Sequence, residues 1–187
     1  VGARVIATGH NRDDQAETVV MRAARWAAWY NLVCMRAMTP LPLWPQGRGL
    51  WLARPLLGVR RAALRDDLLR RGASWIEDPA NASIHYERVL TRQRLAEREA
   101  AGFDPMRLAG IAERLAPLAA RVGEEAAALI KRAVRLEYGT ASFKLADWSA
   151  RGIAYERALQ LLIAAAGGSA HAPHPSRVRI MNALMLS

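Results

Sequence analysis

The sequence predicts an α/β fold, parallel strands packed with helices, followed by a mainly α-helical domain. Three observations predict it. Val5-Ile6-Ala7 is a short apolar run of the kind that makes a buried parallel strand. Just downstream, Ala16, Val19, Val20, Ala23, Ala24 and Ala27 recur at helical spacing, so a strand passes straight into a helix. Beyond Gly102 to Pro105 the composition shifts, and Met106 to Leu136 is rich in Ala and Leu at helical spacing. The expected domains are residues 1–101 and 104–187, with Gly102 to Pro105 as the junction.

The elements follow in order. Asn11 is a plausible N-cap for the first helix, with acidic residues in its first turn. Trp26 to Met38 is aromatic-rich and lacks glycine, and Pro40, Pro42, Pro45, Gly47 and Gly49 mark a loop or hairpin tip. Leu50 to Ala53 reads as a strand that ends at Arg54-Pro55. Arg60 to Arg71 reads as an amphipathic helix with Leu64, Leu68 and Leu69 inward and Gly72 closing it. Ala73 to Ile76 is a short extended segment and Glu77 to Asn81 a turn. Tyr86 to Ala101 is helical, with Arg88, Arg92, Arg94 and Arg98 along it. Met106 to Leu136 forms a helix bent near Pro117 or Gly123, and Ala141 to Leu145 a short strand. Gly152 to Ala166 and Ser176 to Leu186 are helices separated by the Gly167–Pro175 loop.

The segment Thr8-Gly9-His10-Asn11-Arg12-Asp13-Asp14-Gln15-Ala16-Glu17-Thr18 carries the chemistry. It lies at the carboxyl end of a strand, where ligands sit in open α/β sheets. At about 100° per residue, Asp13 and Glu17 fall at the edge of the stripe made by Ala16, Val20 and Ala24, while Asp14 and Thr18 point further toward solvent. The carboxylate pair suits Mg²⁺ or a substrate ammonium and suits bare phosphate badly. Helix capping explains the same residues equally well.

Composition bounds the rest. The 187 residues are 52% hydrophobic, which is ample for a core, and no apolar run approaches the ~20 residues of a membrane span. Cys34 is the only cysteine, so disulfide frameworks and Cys-rich metal sites within the chain are excluded, and a cytoplasmic setting is expected. His171 and His174 lack a third nearby ligand and read as loop residues. Net charge is +10, with 25 Arg against two Lys, which points to a polyanion such as RNA. Because Val1 is not an initiator methionine and a lone strand is no parallel sheet, the chain is expected to be an internal fragment of an α/β domain.

Four motifs in order then carry a resemblance. Thr8-Gly9-His10 with Asp13-Asp14-Gln15-x-Glu17-Thr18 looks like the second signature of the N-type ATP pyrophosphatases, the PP-loop family. Arg54-Pro55-Leu56-Leu57, then Trp75-x-Glu77-Asp78-Pro79-x-Asn81, then Tyr86-x-Arg88-x-x-x-Arg92 narrow this to the tRNA(Ile)-lysidine synthase type over roughly residues 1–100. The resemblance implies the C-terminal part of a Rossmann-like PP-loop domain and an ATP-dependent ligase. Such an enzyme adenylates the C2 carbonyl oxygen of the wobble cytidine of tRNA(Ile) with a CAU anticodon. The side-chain amine of free L-lysine then attacks C2 and AMP leaves. ATP and Mg are the implied cofactors, tRNA(Ile) and free L-lysine the implied partners, with no membrane.

On that resemblance, His10, Asp13, Asp14 and Glu17 are the candidate catalytic residues, with Asp13 and Glu17 holding magnesium or the lysine ammonium. His10 is a candidate for nucleotide contact or proton transfer, and Asp14 for support of the helix start or of a metal. Arg54 is a candidate anion clamp, its structural alternative being a salt bridge. Arg88 and Arg92, one turn apart, are candidate tRNA contacts, or else a solvated face paired with Glu87, Glu97 or Glu99.

The chain departs from the family in three places. The Ser-Gly-Gly-x-Asp-Ser ATP loop is absent, so this chain alone is expected to be inactive. The glycines usual after the first helix are replaced by Trp26 to Met35, and large side chains substitute badly where φ is positive. The family's Arg-Asn-x-x-Arg becomes Arg88-Val89-Leu90-Thr91-Arg92. The competing readings are another PP-loop tRNA-modifying enzyme, such as a thiolation enzyme, and a non-catalytic RNA-binding module.

Overall fold

The computed structural model describes residues 2–25, 28–41, 46–76, 87–137, 140–144, 152–167, 173–174 and 176–179. The chain divides into two compact units, Val1–Leu115 and Ala116–Ser187.

In the first unit, β1 (Val5–Ala7) leads into α1 (Arg12–Ala24). β2 (Met38–Pro40) and β3 (Trp51–Ala53) complete a three-stranded sheet in the order β1-β3-β2. β1 runs parallel to β3, with Val5 opposite Trp51 and Ala7 opposite Ala53. β2 runs antiparallel to β3, with Met38 opposite Ala53. The sheet is therefore mixed rather than purely parallel. Pro40 sits in the edge strand β2, where a missing N–H is tolerated. The chain turns back between β2 and β3 through Gly49, at φ +78°, and the Leu41 N–H donates to Leu50 O at 3.0 Å. The hairpin is legible in its glycines and prolines, but β2 is not.

The first helix starts where its capping residue stands. The Asn11 side chain accepts the Asp14 N–H at 3.1 Å, and the Asp14 carboxylate accepts the Asn11 N–H at 2.8 Å. This reciprocal box buries Asp14, which corrects its expected solvent-facing position. α2 (Arg61–Arg70) ends at Gly72, at φ +66°, with the Gly72 N–H on Leu69 O and the Ala73 N–H on Leu68 O. Leu64 and Leu68 are half-buried as expected, but Leu69 is 63% exposed. Ala73 to Ile76 pairs with no strand among the described residues. α3 (Glu87–Ala100), which buries Val89 and Thr91, packs on α1. Trp26, the Glu77–Asn81 turn, Tyr86, His171 and most of the expected last helix lie outside the described residues.

α4 (Met106–Ala133) is one helix with Pro117 inside it, and the boundary between the units falls beside that proline. In the second unit, β4 (Arg135–Glu137) and β5 (Thr140–Ser142) pair antiparallel, where a continued helix to Leu136 was expected. Ala126 and Leu129 of α4 pack with Tyr155, Ala158 and Leu159 of α5 (Ile153–Ala166) and with Val178 as a core.

Candidate functional site

The carboxyl end of β1 and the first turn of α1 bring the sequence-predicted acidic residues together, and arginines from α2 and α3 surround them. Glu17 is 2% exposed. Its Oε1 accepts from Arg61 Nη2 at 3.1 Å and from Arg92 Nε at 2.9 Å, and its Oε2 accepts from Arg88 Nε at 2.9 Å. Burial raises the Glu17 pKa, but the hydrogen bonds from Arg92 and Arg88 and the charges of Arg92 and Arg61 outweigh it, so the carboxyl is held below its ordinary range. Asp14 Oδ1 accepts from Arg61 Nη2 at 2.9 Å and lies 3.2 Å from Arg88 Nη2.

Asp13 does a different job. Its Oδ2 accepts the Arg61 backbone N–H at 2.7 Å, and its Oδ1 accepts from Arg60 Nη2 at 3.2 Å. Arg60, the N-cap residue of α2, makes no side-chain cap of its own. Asp13 supplies that cap from another helix, and the Arg12 N–H on Val59 O at 2.9 Å ties the same two helix starts together. Arg60 and Arg61 are thus site residues that sequence reasoning missed. The signal was there, an uncapped helix start carrying two arginines beside an excess of carboxylates, but only folding joins positions 13 and 61.

A cavity of about 100 Å³ opens beside this cluster, lined among others by Asp13, Glu17, Arg61, Arg92, Glu99 and Met106. Its lining combines charges of both signs with apolar Ala16, Leu95, Ala96, Pro105 and Met106. Each carboxylate of Asp13, Asp14 and Glu17 is met by N–H donors, and four guanidinium groups stand around them. That donor set does not fit a magnesium ion, which takes free oxygen ligands and is repelled by neighbouring cations. Among the described residues no group of three or more His, Cys, Asp and Glu is arranged to hold a metal.

The remaining candidates take separate places. His10 is half-buried at the end of β1, with Nδ1 2.8 Å from Thr8 Oγ1. Arg54 Nη1 donates to Arg36 O at 2.8 Å and lies 3.4 Å from Thr39 Oγ1, so this guanidinium straps the loop before β2. Burial pulls its pKa down from the ordinary value. Arg88 and Arg92 reach inward to Glu17 while about a third of each side chain stays exposed, at 38% and 32%.

The glycine-poor loop is held from α1. The buried Gln15 side chain donates to Val33 O and Met35 O, at 3.1 and 2.9 Å, and accepts the Met35 N–H at 3.0 Å. Arg22 Nη1 donates to Asn31 O. Between these anchors Cys34 takes φ +61°, a left-handed conformation that favours glycine. Burial pushes its thiol pKa up to about 11.

The strand-to-helix corner, the mixed sheet and the acidic turn define the class of protein. Residues 1–99 match the PP-loop domain family, an ATP-binding fold, and the chain belongs to that family. Its relatives are narrower in kind. It is 40% identical over 180 residues to the tRNA(Ile)-lysidine synthase of Mesorhizobium japonicum, covering 94% of this chain and 38% of that protein. It is 35% identical over 199 residues to the tRNA(Ile)-lysidine synthase of Rhizobium meliloti, covering all of this chain and 41% of that protein. The protein of the same name from Hyphomonas neptunium is 48% identical over 91 residues, 49% of this chain and 25% of that protein. The chain thus spans about two fifths or less of the length of these relatives. No helix among the described residues is long and apolar enough to cross a membrane.

Proposed function

We propose that this chain is part of a tRNA(Ile)-lysidine synthase, a ligase that uses ATP to join free L-lysine to the wobble cytidine of tRNA(Ile) through an adenylated tRNA. The observation that carries the reading is likeness to enzymes of that name along nearly the whole chain, through both units. The corner chemistry supports it. Lysine attacks as a free amine, so its ε-ammonium must be held and must shed a proton. Asp13, more open than Glu17, is the residue we assign to hold that ammonium, since each of its oxygens accepts one bond, from Arg60 or from the Arg61 N–H, and keeps a lone pair for a further N–H donor. His10, before the same helix start, is the group we assign to take the proton.

Glu17 then has a supporting part: it fixes Arg61 and Arg92 in the cavity wall and holds Arg88 beside them. Magnesium is not assigned to Asp13 and Glu17.

The test is an assay of the full polypeptide that contains this chain, with labelled lysine, ATP and a tRNA(Ile) transcript bearing CAU. We expect ATP-dependent label in the tRNA, lost when the wobble cytidine is changed to uridine. Absence of lysine label under conditions where the tRNA binds would overturn the reading. Incorporation of sulfur in its place would favour a thiolation enzyme.

A further inference from the structure

We propose that Thr8 is a positioning residue that selects the His10 tautomer, placing the proton on Nδ1 and leaving Nε2 as a proton acceptor. The geometry is a short chain of three groups. Thr8 closes β1, and its N–H donates to Ala53 O of β3 at 2.9 Å, which fixes the backbone of residue 8 against the sheet. From that anchored position Oγ1 lies 2.8 Å from His10 Nδ1 and 3.4 Å from the same Ala53 O.

A hydroxyl has one proton to give and lone pairs to receive. If His10 Nδ1–H donates to Oγ1, the hydroxyl proton is free to point at the Ala53 carbonyl, and both contacts are hydrogen bonds that polarise one another. If Oγ1–H donates to Nδ1 instead, the carbonyl contact has no proton in it. The first arrangement makes two bonds and the second makes one.

The choice decides what His10 does, and here the inference rests on the proposed ligase function. With Nδ1 protonated, Nε2 keeps a lone pair. When the lysine ammonium gives up its proton, one N–H bond of the ammonium breaks, an Nε2–H bond forms, and the positive charge passes to the imidazole. The Nδ1–H bond to Thr8 stays in place throughout, so nothing in the protein has to reorganise. With the other tautomer Nε2 already carries hydrogen and offers only a donor. A threonine two residues before a histidine, each near a strand end, is thus a device for holding the imidazole in its base form.

The test separates the tautomer from the activity. Nitrogen NMR of the ¹⁵N-histidine-labelled chain reports which ring nitrogen carries hydrogen, with the His10 signals assigned by a His10→Gln variant. We expect the Nδ1–H form in the native chain and in Thr8→Ser. Thr8→Val keeps the side-chain shape and removes the hydroxyl, and it is expected to shift His10 toward the Nε2–H form. A native Nε2–H tautomer, or a tautomer unmoved by Thr8→Val in a chain with native circular dichroism, would overturn the proposal. In the full polypeptide, Thr8→Val is expected to lower kcat at least tenfold with little change in the KM for tRNA, and Thr8→Ser to restore it. A tautomer that follows Thr8 while ligation is absent from the native enzyme would count against the ligase reading and leave the Thr8 assignment standing.

Discussion

At Glu17 a buried carboxylate meets Arg61, Arg88 and Arg92, and removing one side leaves the other uncompensated. Glu17→Gln is expected to lower the free energy of unfolding by about 3–5 kcal/mol, as for other broken buried ion pairs, measured by urea titration. The pH dependence has a definite sign. The folded pKa of Glu17 is depressed, so its contribution is fully present above the ordinary glutamate value and is lost as pH falls through the lower folded value. The urea midpoint should therefore drop as pH falls below about 4–5, the usual range of glutamate in an unfolded chain, and Glu17→Gln should flatten that component. A variant with the same acid slope as the native chain would refute the pairing. Cys34 makes a second residue-scale case. A left-handed conformation costs a non-glycine residue about 1–2 kcal/mol, while glycine loses roughly 0.5–1 kcal/mol more backbone entropy. Cys34→Val, β-branched at φ +61°, should lower the urea midpoint clearly, whereas Cys34→Gly should hold or raise it. Equal destabilisation by both would show that the backbone at position 34 is unstrained.

Among the elements, α1 acts as a frame for its neighbours. Asp13 caps α2, so Asp13→Ala should cost about 1 kcal/mol and speed hydrogen exchange at the Arg61 amide, while Asp13→Asn keeps most of the protection. Exchange at Arg61 unchanged in Asp13→Ala would remove the cap. Most helices were legible because their stop and start signals are local: Asn11 with Asp14, Gly72 and Gly102 each declare an end within a few residues. β2 and β4 were not legible. Each is three residues long, too short for a period, and exists because a neighbouring strand offers hydrogen bonds. The site divides the same way. Spacing put Asp13 and Glu17 on one helix edge, and His10 and Asp14 were named from the motif resemblance. Arg60 and Arg61 as their partners could not be named, nor could the inward turn of Arg88 and Arg92, because the paired residues lie 44 to 75 positions apart.

For the whole molecule, a net charge of +10 favours polyanions, with affinity that falls as salt rises. The inward arginines of α3 are ion-paired to Glu17 and Asp14, which offsets part of their charge, so they contribute to folding more than to that field. Arg94 and Arg98 are exposed, without an ion pair among the described residues, and at about 100° per residue their pair lies roughly 120° around the helix from Arg88 and Arg92. Arg94→Gln with Arg98→Gln should leave the urea midpoint unchanged and lower the slope of log affinity against log salt for tRNA by about one for each phosphate no longer neutralised. Arg88→Gln should lower the midpoint, and a larger salt effect at Arg88 than at the Arg94–Arg98 pair would reverse the assignment. By itself the sequence determined the strand-to-helix corner, the order of the helices, the PP-loop likeness and which residues make the acidic turn, because those signals are periodic or adjacent along the chain. The tertiary structure alone decided which charges meet, which strand runs antiparallel and which arginines face solvent, because a buried charge is settled only by a partner that the fold carries to it from far away in sequence.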